Sequence, residues 1–174
     1  MTRTWICCLA ASAALAQAQH YTSPAATTQV AFGDKQVRIS YHAPSMHGRQ
    51  IFGGLVPYDK VWRAGANEAT LLHTELDLTI GDLAVPKGDY SLYILPEEKQ
   101  WTLIVNKQTG QWGIKMGSGT TEDPAKDLGR VVMTLSKPPA PVETWTITLT
   151  KDGNKGSLAT SWENTVATVP ITAK

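Results

Sequence analysis

Thiols are the first thing this chain has little of. It carries 2 cysteines in 174 residues, and both, Cys7 and Cys8, stand at the amino end. If that end is removed in maturation, disulfides, thiolate nucleophiles and cysteine metal sites are all excluded. Charge of one sign is equally scarce, with 16 Lys+Arg against 15 Asp+Glu. Such a balance argues against nucleic acid or an anionic membrane as partner, since both call for a basic face. No apolar run approaches the roughly 20 residues that a membrane-spanning helix needs, so no membrane span is expected in the mature chain. Signatures of catalysis are missing too. There is no Gly-x-Ser-x-Gly and no Ser-x-x-Lys. The glycine-rich stretch Gly110 to Gly119 lacks the Lys-Ser/Thr of a phosphate loop, and no second carboxylate can be named beside Glu68 for a glycosidase pair. No cofactor is expected.

What is present begins with a basic head, Met1-Thr2-Arg3-Thr4, and an uncharged run from Trp5 to Ala16. Small residues at Ala16 and Ala18 complete a signal-peptide pattern over residues 1–18, with cleavage after Ala18 or, as a second site, after Ala16. A lipoprotein would need its cysteine at the end of the apolar run, whereas Cys7 and Cys8 sit at its start. The pattern predicts an exported protein, periplasmic or extracellular. Losing Arg3 with the leader brings the mature charges into balance. Residues 19–28 read as a polar lead and 29–174 as a single domain, long enough to bury a sizeable core.

Across that domain the regular pattern has period two, which means strands. Val37, Ile39 and Tyr41 share a face. So do Leu72, Thr74, Leu76, Leu78 and Ile80, ahead of a Gly81-Asp82 hairpin signal. Tyr90, Leu92 and Ile94 follow, then Trp101, Leu103 and Val105, then Val131, Met133 and Leu135. Trp145, Ile147 and Leu149 precede a turn at Lys151 to Gly156, and Leu158, Thr160 and Trp162 lead into a closing segment, Val166 to Ile171. Trp101, Trp145 and Trp162 therefore read as core. The expected fold is mainly β, an antiparallel, jelly-roll-like β-sandwich of eight to nine strands. At most one short helix is expected, about two turns over Asp123-Pro124-Ala125-Lys126-Asp127-Leu128-Gly129.

From His42 to Thr70 the alternation stops. A connection of this length inside one domain is uncommon and, when ordered, is often functional; it is expected to lie over one end or face. Candidate ligand-binding residues in it are Arg49, Tyr58, Trp62, Arg63, Asn67 and Glu68. Arginine offers a planar fork of donors, Asn and Glu add donors and acceptors, and tryptophan can stack on a sugar ring. These types suit a small polar or carbohydrate-like ligand. A competing structural reading pairs Arg63 with Glu68 to pin the loop. A metal-assisted hydrolase would use His42, His47 and Glu68, although the His-x-x-x-x-His spacing fits neither a helical pair nor a strand face. His73 reads as a solvated cross-strand partner. A purely structural role in the cell envelope is the third possibility.

The same segment carries a resemblance. Gly48-Arg49-x-Ile51, then Gly54-Leu55-Val56-Pro57-Tyr58-x-Lys60-Val61-Trp62-Arg63-x-Gly65-Ala66-Asn67-Glu68-Ala69-Thr70, resembles the signature of a bacterial exported family, the domain of unknown function 2911. Gly88 to Leu92, Trp101-x-x-Ile104-x-Asn106, Trp112-Gly113 and Leu158-x-x-x-Trp162 extend it over nearly the whole mature chain. Ala64 stands where threonine is expected and Asp59 where glycine is usual. The resemblance implies export and one domain, and no activity.

Overall fold

Alternating side chains bury one face of a strand and wet the other, so a chain patterned this way must wrap its strands around a common interior. The computed structural model describes residues 23–115 and 119–174. The segment read as a signal peptide, with both cysteines, lies outside the described residues. Eleven strands are found among them: β1 (Ala25–Phe32), β2 (Lys35–His42), β3 (Thr70–Thr74), β4 (Leu78–Ile80), β5 (Leu83–Val85), β6 (Gly88–Pro96), β7 (Trp101–Asn106), β8 (Asp127–Ser136), β9 (Val142–Asp152), β10 (Lys155–Glu163) and β11 (Thr165–Ala173). No described helix is long and apolar enough to cross a membrane.

All pairings are antiparallel, and nine strands follow one path, β1-β2-β3-β6-β7-β8-β11-β10-β9, with β4 attached to β11 and β5 to β4. The expected sandwich is not confirmed, because the strands link into one continuous, nearly closed sheet. The reason lies in β8. Its first part, Asp127 to Met133, pairs with β7, and its last residues, Thr134 to Ser136, pair with β11. One long strand thus carries the sheet around the corner. The two ends of the path also approach each other. Leu149 N donates to Thr28 Oγ1 and Ile147 N to Tyr41 Oη, each at 3.0 Å. Just past β2, Met46 N donates to Glu143 O and Trp145 N to Pro44 O, each at 2.8 Å. The result is a nearly closed barrel whose end strands, β1 and β9, are bridged at the seam by these contacts rather than by a continuous ladder.

The interior is filled by the period-two residues. Val37, Ile39, Leu92, Ile94, Leu103, Val105, Val131, Trp145, Leu158, Trp162 and Val169 are all buried there, each contributing roughly 1.5–3 kcal/mol relative to exposure. Three local readings change. The run 71–80 is two strands, because Thr74 Oγ1 bonds Leu76 O at 2.6 Å and turns the chain away. Its alternation persists nonetheless, and Gly81-Asp82 closes the β4–β5 hairpin. The helix is one 3-10 turn, Pro124–Lys126, capped by Asp123 as its sequence suggests. It stops where Asp127 begins β8, in which Gly129 packs closely against the Leu83 side chain. Finally, β1 starts at Ala25, inside the polar lead.

Candidate functional site

The long connection between β2 and β3 is a plug set into one end of the barrel. Ile51, Phe52, Val56 and Ala64 are buried in the main core. The Glu163 carboxylate, at the β10–β11 turn, accepts from Ile51 N and Phe52 N at 3.2 and 3.3 Å. Trp62 and Ile94 exchange backbone bonds at 2.7 and 2.8 Å, and Ala66 N donates to His42 O at 3.1 Å. These bonds extend the barrel wall where β3 has not yet begun. Trp62 stacks on Trp162 with centroids 5.8 Å apart and meets Trp145 edge-on at 4.6 Å. Phe52 lies edge-on to Trp101 at 4.5 Å. With one face against Trp162, Trp62 is largely committed to the core rather than to a sugar ring.

Backbone strain collects in the plug. His47, Asp59, Ala64 and Asn67 all have left-handed φ between 49° and 58°, a conformation that costs non-glycine residues on the order of 1 kcal/mol each and gathers at working sites.

Beside the plug lies a cavity of about 710 Å³, with Trp62, Trp162, Leu55, Val56 and Ile114 among its apolar lining. Three cations contribute to it: Arg49, Lys60 and Arg63. No Asp or Glu does. Arg49 is fixed by backbone carbonyls, with Nε donating to Met46 O at 2.8 Å and Nη2 to Ser45 O at 2.7 Å. Arg63 is less compensated. Its Nε is buried with no acceptor, no carboxylate among the described residues ion-pairs with it, and burial lowers its pKa. Residues 1–22 and 116–118 contain no Asp or Glu and so bring no carboxylate side chain to it.

The other candidates fall elsewhere. Glu68 pairs with His42, Oε2 to Nδ1 at 3.2 Å, and not with Arg63, so the expected pin between Arg63 and Glu68 is replaced by one between β2 and the plug. Both line a smaller hollow of about 280 Å³ together with Tyr41, Leu71 and Gln111. Asn67 Nδ2 reaches Ser23 O at 3.4 Å. Tyr58 covers the Gly53 turn, where an added Cβ would lie 2.9 Å from its ring. His47 is exposed and held through its backbone N by Glu143 Oε1. His42, His47 and Glu68 therefore do not converge, and no group of three potential ligands forms among the described residues. His73 meets Asp89 across the strands at 2.7 Å, as its alternation predicts.

The connection from β7 to β8 supplies residues that the sequence did not single out as a site. Asn106, fully buried, donates to Asp123 O and Asp127 Oδ1 and accepts from Gln108 N, tying the two ends of this connection together. Gln111 Nε2 donates to Tyr93 Oη at 2.8 Å and Ser91 Oγ at 3.1 Å. Gly113 then lies over the Arg63 stem: a Cβ there would sit 2.6 Å from Arg63 Cδ, with φ at +92°. Asn106, Trp112 and Gly113 all belong to the sequence motifs. Their spacing along one crossing loop was the available signal.

A family model described as a protein of unknown function, DUF2911, matches residues 23–171. No curated protein and no solved structure matches the chain.

Proposed function

This chain belongs to the DUF2911 family, whose description assigns no activity, and we propose that it is an exported binding module that seats a small molecule at the plugged end of its barrel, in a cavity lined by apolar side chains and cations. The observation that carries the reading is the cavity of about 710 Å³, which falls within the range of small-molecule sites, about 300–1,000 Å³. The strained plug fits the same reading, because residues held in costly conformations concentrate where a ligand is clamped. The hydrolase alternative loses its third member in His47, and a purely structural role leaves the cation-lined cavity without a purpose.

Two measurements test this. The uncharged dye N-phenyl-1-naphthylamine should bind saturably with enhanced fluorescence, and Ala66→Phe, which fills the cavity from its lining, should abolish that binding while the melting temperature stays near that of the parent. Absence of saturable binding in the parent both of this dye and of its sulfonated analogue would end the proposal. Export is tested by N-terminal sequencing of protein recovered outside the cytoplasm of an expressing bacterium, expected to start at Gln19 or Gln17. An intact Met1 in that fraction would contradict it.

A further inference from the structure

Building on the cavity as a binding site, we infer that its ligand is an organic anion with an apolar body, its anionic group held by Arg63 with Arg49 and Lys60 nearby. The argument is one of charge accounting. Elsewhere the chain neutralises its partly covered arginine: Arg130 Nη2 lies 2.8 Å from both Glu122 Oε1 and Asp127 Oδ2. At the cavity it does the opposite. Arg63 is partly buried with a lowered pKa, its Nε is buried without an acceptor, and the cavity lining holds two more cations and no carboxylate. A desolvated guanidinium left unpaired destabilises the fold, and pairing it with an incoming carboxylate, sulfonate or phosphate group recovers that loss.

The surroundings specify more than charge. Gly113 passes close over the Arg63 stem and Arg49 is anchored by two carbonyls, so the side-chain freedom to be lost on binding is reduced. The rest of the lining is apolar. Leu55 and Ile114, 49% and 42% exposed, stand at the cavity beside Trp62 and Trp162. Exposed aliphatic groups next to unpaired cations suit a molecule with a hydrocarbon or aromatic body and one anionic end. A sugar, which presents hydroxyls on every side, would leave the apolar lining uncompensated and would find no carboxylate acceptor.

A matched pair of dyes tests this. 1-Anilinonaphthalene-8-sulfonate differs from N-phenyl-1-naphthylamine essentially by one sulfonate. The anionic dye should bind at least about tenfold tighter, as a charge-assisted contact implies. Arg63→Gln should erase most of that preference while leaving the uncharged dye's affinity within about twofold. Lys60→Gln, at an exposed position, should remove a smaller part, and dodecanoate should displace the anionic dye where dodecanol does not. If Arg63→Gln does not fold, Arg63→Lys and the salt dependence of the parent replace it. Both must then show weakened binding of the anionic dye alone. Equal affinity of the parent for the two dyes would overturn the anion inference and leave the binding reading standing. Failure of both dyes would overturn the binding reading itself.

Discussion

The two hollows beside residues 62–69 of the plug use charge in opposite ways. In the smaller one Glu68 meets His42 at 3.2 Å, so the charged group that enters has a partner from β2. In the larger, Arg49, Lys60 and Arg63 gather with no carboxylate among the lining residues. One short stretch of chain therefore both pins itself to the barrel and presents an uncompensated cation. A group paired within the fold is spent on stability, whereas one left unpaired at a cavity costs stability and invites a ligand.

The comparison can be broken from the core outward. Trp162→Ala removes the ring that Trp62, Phe52 and Trp145 pack on. It should cost about 3–5 kcal/mol in urea denaturation, with loss of dye binding following from collapse of the lining. Gly113→Val should cost about 1–3 kcal/mol, because a side chain there meets the Arg63 stem at a left-handed φ. It should also suppress the anion preference, and an unchanged preference would show that Arg63 is not positioned by that contact. Glu68→Gln should cost at most about 1 kcal/mol, since its side chain is 43% exposed and such pairs are screened. The relative affinity for the two dyes should not move.

The smallest effect is a pH dependence at the compensated arginine's partner. The Glu122 carboxyl is pushed up from its ordinary 4.5 by burial, then by Asp127, against the opposing pull of Arg130. The fold thus favours the protonated form. The stability this group adds is present below its ordinary value and is lost as pH rises through the raised one. Between about pH 4.5 and neutrality, Glu122→Gln should flatten the parent's stability profile, and a steeper profile in the variant would reverse the assigned sign.

How much of this could be read in the residues depends on the range of the forces involved. Alternation is local, so the faces of Val37 to Tyr41, Tyr90 to Ile94 and Trp145 to Leu149 were legible directly. The choice between barrel and sandwich was not, because it turns on β8 changing partners partway along, which its own alternation does not encode. β1 was obscured because Ala26 and Thr28 fill its inward positions with little hydrophobic contrast. At the site, Arg49, Trp62 and Arg63 were legible as a break in the pattern, and the structure brings them to one cavity. That Glu68 would turn to His42, that Glu163 would hold the plug, and that Gly113 would cover Arg63 depends on contacts between residues far apart in the chain.

The most direct test of an arginine kept unpaired for a ligand is the unliganded stability of Arg63→Met, which keeps the apolar stem and removes the charge. Urea denaturation should show the variant as stable as the parent or more stable by up to about 1 kcal/mol, with the preference for the anionic dye gone. A loss of about 2 kcal/mol or more in the unliganded protein would mean that the guanidinium holds the fold together and is not reserved for a ligand.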